Sequence, residues 1–199
     1  MTKEALLIFT KNPVPGKVKT RLAATVGNVV AFSVYKQLVK HTSVITSGLP
    51  VDKFVFYSDE VVQEDVWNKK HYLKQLQQGN NLGERMNNAF VLTFKKGVNK
   101  VVVIGTDCPG LDAVIIMNAF TYLDKYNVVI GPAADGGYYL LGMKQHHPQL
   151  FENIPWSTDI VFEETISKCV ASQLDYWLLP VLNDIDKEKD LVHLKNVSL

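Results

Sequence analysis

Two carboxylates that each follow a short apolar run are the residues of this chain best placed to do chemistry. Asp107 comes soon after the run Lys100–Ile104, and Asp135 follows the run at 127–131. Four consecutive β-branched residues in the first run predict a strand buried on both faces, which favours a parallel sheet. Ligands of such sheets bind beyond the carboxyl ends of the strands, and Mg²⁺ prefers carboxylate and phosphate oxygens. The pair therefore predicts a site for a divalent cation and a phosphate-bearing ligand.

Each carboxylate also has an explanation that involves no ligand. Asp107 could cap the following helix or close the turn before Pro109, as aspartate often does. Asp135 begins an Asp-Gly-Gly sequence that suits a hairpin turn into the next strand. Position alone does not decide between these alternatives, but two carboxylates after strands of one sheet favour the metal site. Asp184 is not needed as a cap and is a further candidate ligand.

A loop rich in positive charge follows the first predicted strand. Between positions 11 and 21 it contains Lys11, Lys17, Lys19 and Arg21, together with two prolines and Gly16. Lys17 and Arg21 are four residues apart, so we expect them to share one face at the start of a helix. Cations oppose the helix dipole there and phosphate groups bind well, which favours a phosphate-binding loop over a solvated basic one. The loop lacks the Gly-Lys-[Ser/Thr] sequence of a Walker motif.

A polar turn that contains Gly79 precedes the helix predicted for residues 81–96, and Asn80 or Asn81 can cap that helix. Glu84 and Arg85 in its first turn could face a ligand cleft or could be a solvated charged pair. Trp156 lies in a predicted loop. An aromatic side chain there can stack on a nucleobase, although tryptophan is more often part of the core.

The composition is that of an ordinary globular protein. The 199 residues, 47% apolar and 21% charged, predict one domain over 1–199 with a sizeable core. A net charge of +1 provides no global field for nucleic acid or acidic membrane, so anion binding must come from a local cluster. Two cysteines fit neither a disulfide framework nor a zinc pattern, and no apolar run is long enough to span a membrane. We therefore expect a reduced, cytoplasmic setting.

Strand-like and helix-like segments alternate along the chain. Strands are predicted at 5–10, 53–58, 72–77, 100–104, 127–131, 138–143 and near 177, and helices at 28–47, 61–68, 81–96, 112–125 and 157–172, with a last helix capped by Asp186. Ser157 or Thr158 is the expected cap of the helix at 157–172. This order predicts a three-layer α/β/α fold with a mostly parallel central sheet.

Five stretches, taken in order, resemble the motifs of one bacterial family. They are FTKNPVPGKVKTRL at 9–22, NLGERM at 81–86, GTDCPGL at 105–111, GPAADGGYYL at 131–140 and WSTD at 156–159. The family is that of the rSAM/selenodomain-associated, or arsenosugar-biosynthesis-type, glycosyltransferases. The resemblance covers nearly the whole chain. It implies the GT-A nucleotide-diphospho-sugar transferase fold, which guanylyltransferases for molybdenum cofactor and phospholactate share.

The resemblance also implies roles for individual residues. Asp107 would hold the metal, Mg²⁺ or Mn²⁺, and Asp135 would be the second acidic position, so these two are the predicted catalytic and metal residues. The predicted nucleotide-binding residues are Lys11, Pro15, Gly16, Lys17, Arg21, Gly83, Arg85 and Thr106. The tail departs from the family pattern, since Lys187 and Glu188 stand near a helix start where relatives have Thr-Pro.

The expected function is a metal-dependent transferase that moves a sugar from an NDP-sugar to a small acceptor. One alternative is a nucleotidyltransferase that uses an NTP and releases pyrophosphate, and another is a non-catalytic nucleotide-binding partner protein. No residue stands out as the base that would activate the acceptor, and Asp135 and Asp159 are the candidates.

Overall fold

The computed structural model describes residues 3–196 of the chain, with side chains through Leu194. Those residues form seven strands: β1 Glu4–Thr10, β2 Asp52–Tyr57, β3 Leu73–Leu76, β4 Lys100–Ile104, β5 Val128–Pro132, β6 Tyr138–Met143 and β7 Tyr176–Leu178. They also form the helices α1 Thr20–Val26, α2 Asn28–Ser47, α3 Leu82–Phe94, α4 Ala113–Tyr122 and α5 Val161–Ala171. Two 3₁₀ segments lie at Pro148–Leu150 and Glu188–Asn196.

The strands form one sheet in the order β3-β2-β1-β4-β6-β5-β7. The pairs β1–β2, β1–β4, β2–β3 and β5–β7 are parallel, whereas β6 pairs antiparallel with both β4 and β5. The mostly parallel sheet predicted from the sequence is therefore confirmed. Strand β6 is the exception because a short loop returns the chain directly beside β5, as antiparallel neighbours allow.

Helices cover both faces of the sheet. Residues of α2 and α4 pack in the core on one face, and residues of α3 and α5 pack in the core on the other. All five residues of β4 are buried between these layers, as its run of β-branched residues predicts. The result is the expected three-layer α/β/α arrangement. A smaller apolar cluster joins α1 and α2 to Ile185 of the C-terminal segment.

The predicted start of α3 is confirmed, and the helix ends at Phe94, two residues before the predicted Lys96. Helix α3 is capped by Asn81, whose side chain accepts the Glu84 N–H at 2.9 Å. Gly97 follows the end of α3 with a φ of +75°, which glycine adopts without strain.

The helix predicted for residues 61–68 is wrong, because this segment forms bends without helical hydrogen bonding. Asp65 accounts for the difference. Its carboxylate accepts the Trp67 N–H at 2.9 Å, the Tyr57 hydroxyl at 2.5 Å and the Lys74 ammonium at 2.7 Å. An aspartate that bonds to a nearby backbone N–H competes with the helix for that donor.

The predicted caps of the last two helices are also wrong. Helix α5 begins at Val161 without a side-chain cap, and the Thr158 hydroxyl instead donates to the Pro155 carbonyl at 2.7 Å. The segment after Asp186 is a 3₁₀ helix, in which Asp190 accepts the Asp186 and Lys187 N–H groups. Within the described residues, no helix is long and apolar enough to cross a membrane.

Candidate active site

Asp107 lies just beyond the carboxyl end of β4, near the middle of the sheet. Its side chain is 48% exposed, and its Oδ1 lies 2.5 Å from the Lys19 ammonium. Its own carbonyl oxygen accepts the Ile185 N–H at 3.0 Å. The residue is therefore held on one side by the basic loop and on the other by the C-terminal segment, and its carboxylate still reaches solvent.

Asp135 is exposed in the turn between β5 and β6, at the same edge of the sheet. Its Oδ1 accepts the Gly137 N–H at 3.0 Å, so the turn that was an alternative to a ligand role is present. Gly136 has a φ of +91°, and a Cβ there would lie 1.9 Å from the carbonyl oxygen of Asp159. The turn is thus pressed against the segment before α5, and only glycine fits at that position.

The C-terminal segment brings a third carboxylate to this edge. The Leu182 carbonyl accepts the Ala134 N–H at 2.9 Å, and the Ile185 N–H donates to the Asp107 carbonyl at 3.0 Å. Asp184 therefore lies between the loop that carries Asp135 and the loop that carries Asp107. Burial is the main cause that raises the pKa of Asp184 to about 7. The nearby charges of Asp107 and Asp135 act in the same direction, and Lys19 opposes them.

Lys19 is a site residue that the sequence did not single out. Its side chain is 7% exposed, and its Nζ lies 2.5 Å from both Asp107 Oδ1 and the Ile185 carbonyl oxygen. Its φ of +50° and ψ of 42° are in the left-handed region, which a lysine seldom adopts. The sequence shows Lys19 as one of four cations in the basic loop, but its spacing gives no reason to prefer it to the other three.

The shared helical face predicted for Lys17 and Arg21 is wrong. Helix α1 begins at Thr20, so Lys17 lies in the preceding loop. The Arg21 Nη1 donates to Asp186 Oδ2 at 2.9 Å, and this hydrogen bond with the charge of Asp186 raises the pKa of the guanidinium. The charge of Asp135 has a smaller effect on this pKa in the same direction.

The remainder of the basic loop is exposed, and hydrogen bonds at its amino-terminal end fix its position. Lys11, Pro15, Gly16 and Lys17 are all exposed, and neither lysine is in an ion pair among the residues that the structure describes. The buried Asn12 anchors the loop, since its Oδ1 accepts the Asp59 N–H at 2.9 Å and its Nδ2 donates to the Glu60 carbonyl at 2.8 Å. Asp59 and Glu60 thus contribute backbone groups to this anchor.

Arg85 lies at the carboxyl end of the neighbouring strands. Its Nε donates to the Gly79 carbonyl at 3.0 Å and its Nη1 approaches Gln77 Oε1 at 3.4 Å. Gln77 in turn donates to the Phe56 carbonyl at 2.9 Å. Glu84 completes the cap of α3, because its Oε2 accepts the Asn80 N–H at 2.8 Å. Arg85 is therefore near the end of β2, whereas its neighbour Glu84 is structural.

Gly83 is buried beneath Trp156 rather than open to a cleft. A Cβ at Gly83 would lie 2.2 Å from the Trp156 indole nitrogen. The indole also packs edge-on against Tyr138, with ring centroids 6.5 Å apart. Gly83 therefore leaves room for the Trp156 ring to pack against helix α3. This packing explains the glycine without the predicted nucleotide contact.

A cavity of about 470 Å³ lies beside the basic loop, against α2. Thr10, Lys11, Tyr35, Tyr57 and Trp67 are among its lining residues. The Tyr35 hydroxyl donates to the Lys11 carbonyl at 2.5 Å, and burial, with a contribution from the Asp107 charge, raises its pKa to about 12. The Tyr35 side chain, which is a neutral phenol, therefore lies between the cavity and the region of Asp107.

The buried residue Thr106 also belongs to this region. It directly precedes Asp107 at the carboxyl end of β4, and its side chain is screened from solvent.

The donor groups at this edge suit a cation that a ligand also helps to bind. No three His, Cys, Asp or Glu side chains within the described part of the chain are arranged to hold a metal ion by themselves. Asp107 and Asp135 nevertheless supply hard oxygen atoms, and the raised pKa of Asp184 reflects its burial and a local excess of negative charge. Mg²⁺ is commonly bound by one or two carboxylates plus phosphate oxygens, so the residues fit a metal site completed by a phosphate ligand.

Comparisons with solved structures agree with this architecture. A crystal structure from Desulfovibrio desulfuricans G20, described as a "putative nucleotide-diphospho-sugar transferase", is 34% identical, with a TM-score of 0.90. The match covers 96% of this chain and 85% of that one. The inositol-1-phosphate CTP transferase of T. maritima matches at 14% identity and a TM-score of 0.54, over 98% of this chain and 96% of that one.

A cytidylyltransferase from Leptospira borgpetersenii matches at 14% identity and a TM-score of 0.53, over 90% of this chain and 76% of that one. The fold is thus that of the nucleotide-diphospho-sugar transferases, as predicted. The search of curated proteins found no match. A family model described as "Uncharacterized protein conserved in bacteria (DUF2064)" matches residues 43–158. Because that match spans more than half of the 199 residues, the chain belongs to the DUF2064 family of bacterial proteins.

Proposed function

We propose that the protein is a metal-dependent transferase that binds a nucleotide-activated donor and moves a sugar from an NDP-sugar to a small acceptor. The observation that carries the proposal is that Asp107, Asp135 and Asp184 lie at one edge of the sheet, where Lys19 is paired with Asp107. The likeness to the Desulfovibrio protein, at 34% identity over most of both chains, supports a transferase that uses an NDP-sugar. The motifs that resemble rSAM-associated glycosyltransferases support the same chemistry.

In this proposal Asp107 and Asp135 hold Mg²⁺ or Mn²⁺, whose charge would offset the charge that develops on the departing nucleotide. Lys11 and Lys17 are exposed on the loop that Asn12 anchors, so their ammonium groups are free to face the phosphates. Preorganised cations aimed at a leaving group stabilise the transition state without reorganising during the reaction. Arg85, at the end of β2, would lie on the nucleoside side of the donor.

The acceptor must lose a proton when its hydroxyl attacks the sugar, and Asp135 and Asp159 are the proposed candidates for the base. Both side chains are exposed, and the contact between Gly136 and the Asp159 backbone keeps the two segments together. Asp184 is less suited to this role because it is only partly exposed. Its proposed role is to add negative charge behind the cation.

A panel of NTPs and NDP-sugars in a thermal-shift assay, with and without Mn²⁺, tests donor binding. A ligand that binds only the folded protein raises the melting temperature. We expect an NDP-sugar to stabilise the protein more strongly when Mn²⁺ is present. Tight nucleotide binding with no effect of Mn²⁺ and no turnover with any donor would instead indicate a non-catalytic nucleotide-binding protein.

The second candidate is a nucleotidyltransferase, in which the acceptor attacks the α-phosphate of an NTP. The fold is shared with CTP-using transferases, and a loop with four cations can accommodate a triphosphate. Product analysis separates the two reactions. Release of a nucleoside diphosphate supports sugar transfer, whereas release of pyrophosphate supports nucleotidyl transfer.

A further inference from the structure

Lys19 occupies the position at Asp107 that a cation would be expected to take. Its Nζ is 2.5 Å from Asp107 Oδ1 and 2.5 Å from the Ile185 carbonyl oxygen, so the ammonium bridges a carboxylate and a backbone acceptor. With only 7% of its side chain exposed, Lys19 is much less accessible than Asp107, which is 48% exposed. An ammonium so enclosed forms a stronger ion pair than an exposed surface lysine does.

The backbone at Lys19 indicates that these contacts hold it in place. A left-handed conformation is unfavourable for a residue with a side chain, and Lys19 has a φ of +50° directly before α1. As the N-cap residue of α1, Lys19 accepts the Ala23 N–H at 2.8 Å with its carbonyl oxygen, but the helix has no side-chain cap and no acidic residue in its first turn. The two contacts of the ammonium group add to that hydrogen bond in offsetting the unfavourable backbone conformation.

The charges around Lys19 do not balance. The charges of Asp107 and Asp135 both act on Asp184, and Lys19 is the lysine that acts on Asp184 in the opposite direction. Arg21 is already bonded to Asp186. A single ammonium supplies one positive charge where a divalent cation would supply two, so the cation and Lys19 compete for the Asp107 carboxylate.

We propose that Lys19 is a positioning residue that occupies Asp107 in the ligand-free protein and yields it to the divalent cation. This inference rests on the metal role proposed for Asp107. Metal binding then costs the ion pair of Lys19, and the released ammonium can bind a phosphate of the donor. Each ligand therefore favours the other, because the phosphate group compensates for the contact that the metal breaks.

Titration with Mn²⁺ alone, followed by electron paramagnetic resonance of the free ion, tests the competition without any turnover. We expect Lys19→Met to bind Mn²⁺ about tenfold more tightly than the wild type, because a charge-assisted contact no longer has to be broken. Lys17→Met is the matched control, since it removes the same charge from the same loop and Lys17 makes no contact with Asp107. Its Mn²⁺ affinity should stay much closer to that of the wild type.

Two further variants keep the test decisive. Lys19→Gln loses the charge but can still donate to the Ile185 carbonyl, so it should also tighten Mn²⁺ binding if Lys19→Met folds poorly. Lys19→Arg keeps the charge and should bind Mn²⁺ no more tightly than the wild type. Circular dichroism confirms that each variant is folded.

The outcomes separate this inference from the proposed function. If Asp107→Asn abolishes Mn²⁺ binding but Lys19→Met and Lys19→Gln leave it unchanged or weaker, the metal role stands and the role of Lys19 is overturned. If neither the wild type nor the Lys19 variants bind Mn²⁺, the metal role of Asp107 fails and the inference fails with it. Equal tightening by Lys17→Met would mean that loop charge, rather than the ion pair with Asp107, sets the affinity.

Discussion

The backbone N–H of Ile185 donates to the carbonyl oxygen of Asp107 at 3.0 Å, which joins the C-terminal segment to the end of the central strand. The same residue accepts the Lys19 ammonium at its carbonyl oxygen. Ile185 is buried against α1 and α2, so this junction is part of the core and not a loose surface contact. The site thus depends on three distant parts of the sequence, since Lys19 and Asp107 both hydrogen-bond to the backbone of Ile185.

Replacement of Asp107 by Asn should abolish turnover and Mn²⁺-dependent nucleotide binding while the fold stays intact. The amide keeps the shape of the side chain but loses the negative charge that a divalent cation requires. Calorimetric binding of an NDP-sugar, with and without Mn²⁺, measures the loss. Asp112→Asn is the matched control, because Asp112 only caps α4 and asparagine caps as well as aspartate. An Asp107→Asn enzyme with normal activity would contradict the metal role.

Asp184 should make the stability of the metal-free protein depend on pH. Its pKa is about 7 in the folded state against an ordinary value of 3.8, so the folded state holds the proton more tightly than the unfolded state does. Stability contributed by the protonated form is therefore complete below about pH 4 and is lost as the pH rises to about 7.

Asp184→Asn removes this titration. At pH 8 in the presence of a chelator the variant should be more stable than the wild type, by up to about 4 kcal/mol at about 1.4 kcal/mol per pKa unit. Below about pH 4 the difference should nearly vanish. Urea unfolding at a series of pH values measures both. Parallel pH profiles of the two proteins would show that Asp184 does not titrate in this range.

Replacement of Gly136 by Ala should destabilise the protein and displace Asp135. The new Cβ would meet the Asp159 carbonyl oxygen at 1.9 Å, in addition to the strain of a φ of +91°. Gly97→Ala separates the two effects, since Gly97 has a φ of +75° and an added Cβ there would meet open space. We expect a loss of about 1 kcal/mol for Gly97→Ala and a clearly larger loss for Gly136→Ala. Chemical denaturation measures both variants, and equal losses would refute the steric argument.

Gly83 and Trp156 should be energetically coupled. A Cβ at Gly83 would overlap the indole, so Gly83→Ala must displace Trp156 from its place beside Tyr138. We expect Gly83→Ala to destabilise the wild type by about 1–3 kcal/mol, in the range for overpacking, and to have little effect when Trp156 is already alanine. A double-mutant cycle by denaturation, with tryptophan fluorescence as the probe, measures the coupling. Additive effects would place the indole elsewhere in solution.

The parts of the fold that local sequence determines were predictable. A run of β-branched residues identified β4, and its position ahead of Asp107 followed directly. The alternation of strands and helices predicted the layered sheet, because parallel strands need crossover helices. The single antiparallel strand β6 was not specified by that alternation, since its neighbours in the sheet are chosen by tertiary packing.

The features that the sequence did not determine all depend on contacts between distant residues. Asp184 is a candidate ligand from the sequence, but it joins the other carboxylates because its segment pairs with the Asp135 turn and the Asp107 loop, which no periodicity in the tail indicates. Lys19 is distinguished from Lys17 only by a left-handed backbone and a buried ion pair. Asp65 prevented a predicted helix through bonds to residues up to nine positions away.

The order of synthesis gives the C-terminal segment a further consequence. Asp107, Asp135 and Lys19 are all made before residues 182–185, yet Lys19 and Asp107 have bonding partners in that segment. A nascent chain that has emerged only as far as β6 can form most of the sheet but has neither Asp184 nor the Ile185 carbonyl. The carboxylate cluster should therefore assemble only late in translation, after the surrounding layers have begun to fold.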